Sequence, residues 1–419
     1  MATTAPDRIL TLDVIRGVAV MGIFSVNVIA FAMIESAYFN PASFGGHTGA
    51  NLALWAANMV VVDGKMRTLF SMLFGASMLL VIERAERSGR SGWWTHFRRM
   101  AVLLGFGLIH YYFIWFGDIL TLYAVSGLVA FLFRRMSVEE LVALGAALLA
   151  VNMILFSLFL FGQHGTDIAA HAPGATAQAI RDWNEGLGRL DPSAAAIAKD
   201  KALHLGSYAN FAGGNLADWT SVFSDNLPFV MDTVGLMLLG MAGYKSGFLT
   251  GEWPDSRYRR ILVPALALGA IAGVATVAYD ISSHFYVVGV MTGFMVAETP
   301  FITIMAAGYA ALIILLTRGN GALTQRIAAA GRCAFTNYLG TSIVASLVFY
   351  GWGLGLYASL SRWQAWLLAP VVWAIMLLWS KPWLQRYHYG PFEWAWRSLS
   401  RWELQPMRRR LDVAAALAA

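Results

Sequence analysis

"LDVIRGVAVMGIFSVN" (residues 12–27) has the apolar body of a membrane helix, yet it carries Asp13 and Arg16 at its mouth and Asn27 well inside. Charges and amides in lipid are costly, so each needs a partner or a purpose. On a helix turning 100° per residue, Arg16 and Asn27 lie about 20° apart around the axis, and Asp13 and Asn27 about 40°. All three therefore share one face. Val18, Met21 and Ile29 fall opposite and are expected to meet lipid. A stripe of this kind points into a bundle, so the stretch reads as one helix among many.

The rest of the chain agrees. Of its 419 residues, 58% are hydrophobic and 13% charged, with a mean hydropathy of +0.58. A soluble protein would carry roughly 25% charged residues. The deficit, with repeated apolar runs near 20 residues, predicts an all-α polytopic integral membrane bundle. Ten spans are expected, near 14–34, 66–84, 99–117, 119–134, 138–161, 227–248, 260–279, 297–317, 334–354 and 364–384. Two shorter apolar pieces, 52–62 and 285–296, read as re-entrant or interfacial. The single Cys333 excludes an intramolecular disulfide and any multi-thiolate site, and no metal is expected. No Gly-rich phosphate loop, HExxH or GxSxG occurs, so no soluble-enzyme signature is present.

The net charge of +6 marks a cytoplasmic face rather than a nucleic-acid partner. With the N-terminus inside, most of the 30 basic residues fall in cytoplasmic segments, among them Arg84, Arg99, Arg134, Arg260 and Arg332. Both termini are then cytoplasmic, in a multi-pass membrane protein. The first helix reads as retained, because no small-x-small cleavage site ends it. Residues 1–386 form the expected transmembrane bundle, with an extracytoplasmic helical insertion at 163–225. The remainder, 387–419, carries "YGPFEWAWRSLSRWELQPMRRR", whose tryptophans and arginines suit an amphipathic tail at the inner membrane surface.

Five motifs keep a common order along the chain: "LDVIRGVAVMGIFSVN", "KMRTLFSMLFGAS" (65–77), "HYYFIWFGDILTLYAVSGL" (110–128), "GRCAFTNYLGTS" (331–342) and "YGPFEWAWR" (389–397). On these the sequence resembles the YeiB family of uncharacterised bacterial membrane proteins. That family in turn resembles the transmembrane acyltransferases typified by heparan-alpha-glucosaminide N-acetyltransferase, which pass an acyl group from acyl-CoA to a sugar. The resemblance implies that their Asp–x–x–Arg–Gly opening falls on Asp13, Arg16 and Gly17, and their functional asparagine on Asn27. It implies a catalytic histidine at His47, with a longer spacing from Asn27 than in those relatives.

Acyl transfer wants a base near neutral pKa and donors for the developing oxyanion. His110 is the second candidate base. Asp118 lies about 80° away around a continuous helix, so contact between the two requires a break in that helix. Asp63, Lys65 and Arg67 in "VVDGKMRTLF" would suit a substrate carboxylate or phosphate, or else form a local ion pair. Glu298, two residues before Pro300, predicts a broken helix of the kind that builds ion sites in transporters. Asn337, one turn before Thr341, faces a cavity or serves as interhelical glue. Asp232 and His284 are lesser candidates. Two functions follow. One is a membrane-embedded acyltransferase with acyl-CoA as donor and an extracytoplasmic glycan or lipid-linked acceptor. The alternative is a secondary transporter of a small solute or lipid with a midplane site around Glu298. Partners are membrane lipids and those substrates, with homodimerisation left open.

Overall fold

The computed structural model describes residues 9–409. Its regular elements are helices, and among the described residues the one β-bridge pairs Tyr387 with Arg408. The main helices are α1 (Leu10–Ala32), α2 (Gly49–Val61), α3 (Lys65–Arg87), α4 (Gly92–Phe113), α5 (Leu120–Ala130) and α6 (Val138–His171). After the insertion follow α7 (Val230–Lys245), α8 (Asp255–Ser282), α9 (Thr299–Thr317), α10 (Ala322–Arg332), α11 (Ala334–Phe349), α12 (Leu368–Arg386) and α13 (Pro391–Arg401). Seven helical segments among the described residues are long and apolar enough to cross a membrane. Residues 120–133, 287–297 and 334–349 form shorter apolar helices.

The piece expected to stand alone at 52–62 instead joins the next span. α2 and α3 make one apolar helical segment of 39 residues, interrupted only around Gly64, whose φ of +68° suits a residue without a Cβ. Before Pro300 the backbone loosens into a π-helical turn over Gly293–Ala297, which leads into α9.

α1 lies at the centre of the bundle, packed on α3, α9, α10 and α11. Ile29, expected at the lipid, is only 4% exposed, and Val18 and Met21 are half-buried. Neighbours on every side leave α1 no open lipid face. Its crossing with α10 is close enough that a Cβ at Gly331 would stand 1.8 Å from the Asp13 carbonyl oxygen.

The insertion extends α6 to His171 and then folds into short helices up to Asn226. It is tied to the bundle by the Gly351 amide donating to the His204 carbonyl at 2.8 Å and by Tyr111 donating to Asp225 at 2.6 Å. The Tyr357 hydroxyl donates to Asp200, and His204 stacks on the Tyr357 ring at 4.3 Å. At the far end of the bundle, α13 packs on α4 and α11.

Candidate functional site

α4 stops at Phe113, and α5 starts at Leu120. The six residues between fold back, with the amides of Ile114 and Trp115 both donating to the His110 carbonyl. A Cβ at Gly117 would lie 2.4 Å from the Trp115 ring, so the bare glycine lets the indole close over the turn. This is the helix break that contact between His110 and Asp118 requires. Nδ1 of His110 lies 2.9 Å from Oδ1 of Asp118, and both side chains are fully buried. The second Asp118 oxygen accepts from the Thr121 amide at 2.8 Å, capping α5. With Nδ1–H donating to the carboxylate, the lone pair of His110 is on Nε2, which is buried and has no hydrogen-bond partner among the described residues.

Next to this pair a cavity of about 240 Å³ runs between α1, α3, α4, α5, α11 and α13. At one end it is lined by the arginines Arg16, Arg84, Arg99, Arg332 and Arg397, with the two carboxyls of Asp13 and Glu393. Arg16 is held by Asp13 at 3.0 Å and by the Ser77 hydroxyl at 2.7 Å. Arg99 lies over the Trp396 ring at 4.2 Å. Glu393 accepts from the amides of Phe335 and Thr336 at the start of α11. Burial pushes its carboxyl above the usual range, against the pull of hydrogen bonds from Thr336. Deeper in, the walls are apolar, with Val20, Ile23, Phe70, Phe74 and Leu103. The other end is lined by Ile119, Leu120, Tyr123 and Tyr338. Tyr338 serves both spaces, since its ring centre is also 5.2 Å from that of His110. Ile9 and Arg397 both line the basic end, so the start of α1 and α13 meet there.

The polar stripe of α1 divides. Asp13 and Arg16 line the cavity; Asn27 does not. Asn27 is half-buried one turn beyond Ile23 and one turn before Phe31, on the face whose Phe31 stacks on Trp115 at 4.2 Å. His47 is exposed on the loop before α2, edge-on to Phe285 at 5.9 Å, and lines neither this cavity nor the small one described next.

The charges of "VVDGKMRTLF" do not pair among themselves. Lys65 reaches Glu298 at 3.1 Å, Arg67 reaches Asp232 at 2.7 Å, and Asp63 accepts from Tyr38 at 2.9 Å and from the Gly64 amide. Helical geometry sends each side chain to a different neighbour, so the local ion pair gives way to three tertiary contacts. Asp63 also lines a second cavity of about 20 Å³, room for one water, beside Asn58 and Arg362. Asn337 is buried, donating to the Ala330 carbonyl at 2.9 Å and accepting from the Trp379 indole at 3.0 Å. It joins α10, α11 and α12. Among the described residues no cluster of side chains could hold a metal. Sequence reasoning passed over Trp115, Tyr338 and Asp280. Only Asp280 left a signal, as a lone acid at the end of an apolar run.

The family model described as "Protein of unknown function (DUF418)" matches residues 243–403, the part that supplies Arg332, Tyr338 and Glu393 to the cavity. The chain is 31% identical over 417 residues to the uncharacterized protein YxaH of Bacillus subtilis (strain 168), covering 98% of both chains. It is 31% identical over 408 residues to the uncharacterized protein YeiB of Escherichia coli (strain K12), covering 94% of this chain and 96% of that one. An uncharacterized 39.9 kDa protein in the amylase 3' region of Bacillus acidopullulyticus is 25% identical over 397 residues, 94% of each chain. No solved structure matches. With relatives aligned almost end to end, the chain belongs to the YeiB, or DUF418, family of proteins of unknown function.

Proposed function

We propose that the protein is a membrane-embedded acyltransferase that takes an acyl group from an acyl-CoA entering at the basic end and passes it to a glycan or lipid-linked acceptor. The observation that carries this reading is an apolar-walled cavity lined by arginines at one end and at the other by Tyr338, which packs on the imidazole of the His110–Asp118 pair. Guanidinium groups bind phosphates in bidentate fashion, which suits the phosphate end of the donor. From Arg99 to His110 along α4 is eleven residues, about 16 Å, comparable to an extended pantetheine arm. At the inner end, Asp118 fixes the tautomer in which His110 Nε2 accepts a proton. Tyr338 stands at the cavity end against the His110 ring, so the acyl group reaches Nε2 when that ring turns aside.

This reading moves the base from His47 to His110 and keeps Asn27 beside the path, half-buried at the level between the cavity and Trp115. The distribution of arginines supports a reading in which the basic end faces the cytoplasm across a bacterial inner membrane, the side on which acyl-CoA is found. The transporter reading rests on the π-helical turn ahead of Glu298 and on the buried Lys65–Glu298 pair. Neither Glu298 nor His110 lines a cavity, but Tyr338 in the wall of the larger one packs on the His110 ring, and transfer is favoured on that ground.

The test is consumption of an acyl-CoA panel by the purified protein in nanodiscs with a hydroxyl or amine acceptor. Turnover that persists in His47→Ala and stops in His110→Ala is expected. No turnover with any donor, or turnover indifferent to His110→Ala, overturns the proposal. Proton- or sodium-coupled uptake into proteoliposomes, lost in Glu298→Gln, would install transport in its place.

A further inference from the structure

Trp115 is an unusual neighbour for a buried imidazole. It is 3% exposed, its ring is stacked on Phe31, and it meets the His110 ring edge-on with centres 6.3 Å apart and planes at 82°. Its indole N–H is buried and finds no hydrogen-bond partner among the described residues. Five other tryptophans, at 373, 379, 383, 394 and 396, donate to a carbonyl or amide oxygen, whereas Trp55 and Trp366 share the orphaned N–H but do not meet the His110 ring. Leaving a donor without a partner in an apolar interior is unfavourable, and native structures rarely tolerate it without a reason. The chain invests in the position nonetheless, since Gly117 must lack a Cβ for the indole to lie where it does.

The second orphan is next door. His110 Nε2 is buried and has no hydrogen-bond partner among the described residues, and with Nδ1–H on Asp118 it carries the lone pair. One ring thus offers an unused acceptor and the adjoining ring an unused donor. That is the polarity of an acyl-transfer centre, where a base takes a proton and an N–H receives a carbonyl oxygen as it becomes negative. Asp118 does not serve both rings: its oxygens accept from His110 and from the Thr121 amide, and the indole N–H does not reach them.

Building on the proposed acyl transfer, we propose that Trp115 is a catalytic residue whose indole N–H holds the carbonyl oxygen of the acyl group during transfer. The acceptor's hydroxyl or amine attacks the thioester carbonyl carbon, and its proton goes to His110 Nε2. The electron pair displaced from the C=O bond rests on the oxygen facing Trp115. When that pair returns, the carbon–sulfur bond breaks, and the departing thiolate takes the proton back from His110. Nothing is oxidised or reduced, and the imidazole is restored.

Trp115→Phe deletes the N–H and keeps an aromatic ring against Phe31. The expected result is a fall in kcat of about a hundredfold, the loss typical of one oxyanion donor, with KM for the acyl-CoA within about twofold. Should that variant fold poorly, replacing Trp115 by 3-benzothienylalanine puts sulfur where the N–H was at nearly constant shape, and the same loss is expected. A wild-type kcat in either folded variant, with His110→Ala inactive, overturns the role of Trp115 and leaves the proposed function standing. A change confined to KM overturns it as well, since Trp115 would then be a wall of the binding site. Wild-type turnover in both Trp115→Phe and His110→Ala removes the proposed centre altogether.

Discussion

Lys65 and Glu298, 233 positions apart in the chain, meet at 3.1 Å with side chains only 1% and 3% exposed. The ammonium also donates to the Met59 carbonyl at 2.6 Å, while the second Glu298 oxygen has no partner among the described residues. A buried pair of this kind is worth little in net terms, because desolvation offsets most of the attraction. Removing one member is another matter, for it strands the other charge.

The expected pattern is therefore asymmetric. Lys65→Met or Glu298→Leu alone should lower unfolding stability by about 3–5 kcal/mol. The double variant should return to within about 1 kcal/mol of wild type or exceed it. Thermal unfolding of the four proteins in one detergent gives the cycle, and additive losses would show that the two charges are independent.

Helix crossings give a second set of outcomes. A Cβ at Gly240 would stand 1.9 Å from the Met72 carbonyl oxygen, and one at Gly75 would stand 2.1 Å from that of Met237. These two glycines let α3 and α7 approach backbone to backbone, as small residues do where membrane helices pack. Gly75→Ala or Gly240→Ala should cost about 1–3 kcal/mol by forcing the helices apart. Gly340→Ala on α11 meets nothing within 4 Å and should leave stability unchanged or raise it by about 0.5–1 kcal/mol. Equal melting temperatures for all three would mean that α3 and α7 are not so close.

What could be read from the sequence follows from what each signal encodes. Apolar runs report length and hydrophobicity, and they located the helices of the bundle because lipid imposes both. They do not report which neighbour a helix finds. Ile29 was therefore assigned to lipid, although α1 is surrounded by protein. Partner choice failed for the same reason. Nothing local to "VVDGKMRTLF" reveals that Lys65 reaches Glu298 and Arg67 reaches Asp232. His110 and Asp118 stood out as ionisable groups in an apolar setting, and only the break after Phe113 brings them together. Trp115 and Tyr338 were invisible, since an aromatic residue in a membrane helix is ordinary until its hydrogen bonds are counted.

Asp280 supplies a test of the opposite sign. It is fully buried near the end of α8, and neither carboxyl oxygen has a hydrogen-bond partner among the described residues. A buried acid without partners opposes folding, so its replacement should not. Asp280→Leu is expected to keep the melting temperature or raise it, in contrast with Glu298→Leu, whose partner Lys65 is left stranded. A loss of several kcal/mol in Asp280→Leu would mean that the carboxyl has a stabilising contact, such as a bound cation or ordered water.

The last outcome concerns the imidazole's orientation rather than its presence. In the native protein Asp118 accepts from His110 Nδ1–H through one oxygen and from the Thr121 amide through the other. Asp118→Asn retains one oxygen, enough to cap α5, and turns an NH₂ group toward Nδ1. An NH₂ group there cannot accept a proton, so Nδ1 becomes the acceptor and the ring proton moves to Nε2. His110 then has no lone pair to offer the acceptor. Acyl-CoA turnover should drop by about 10³–10⁴-fold, as when a catalytic imidazole is locked in the wrong tautomer, with little change in melting temperature because the cap survives. A variant that melts like wild type and turns over like wild type would show that Asp118 serves only to cap α5, and His110 would lose its claim as the base.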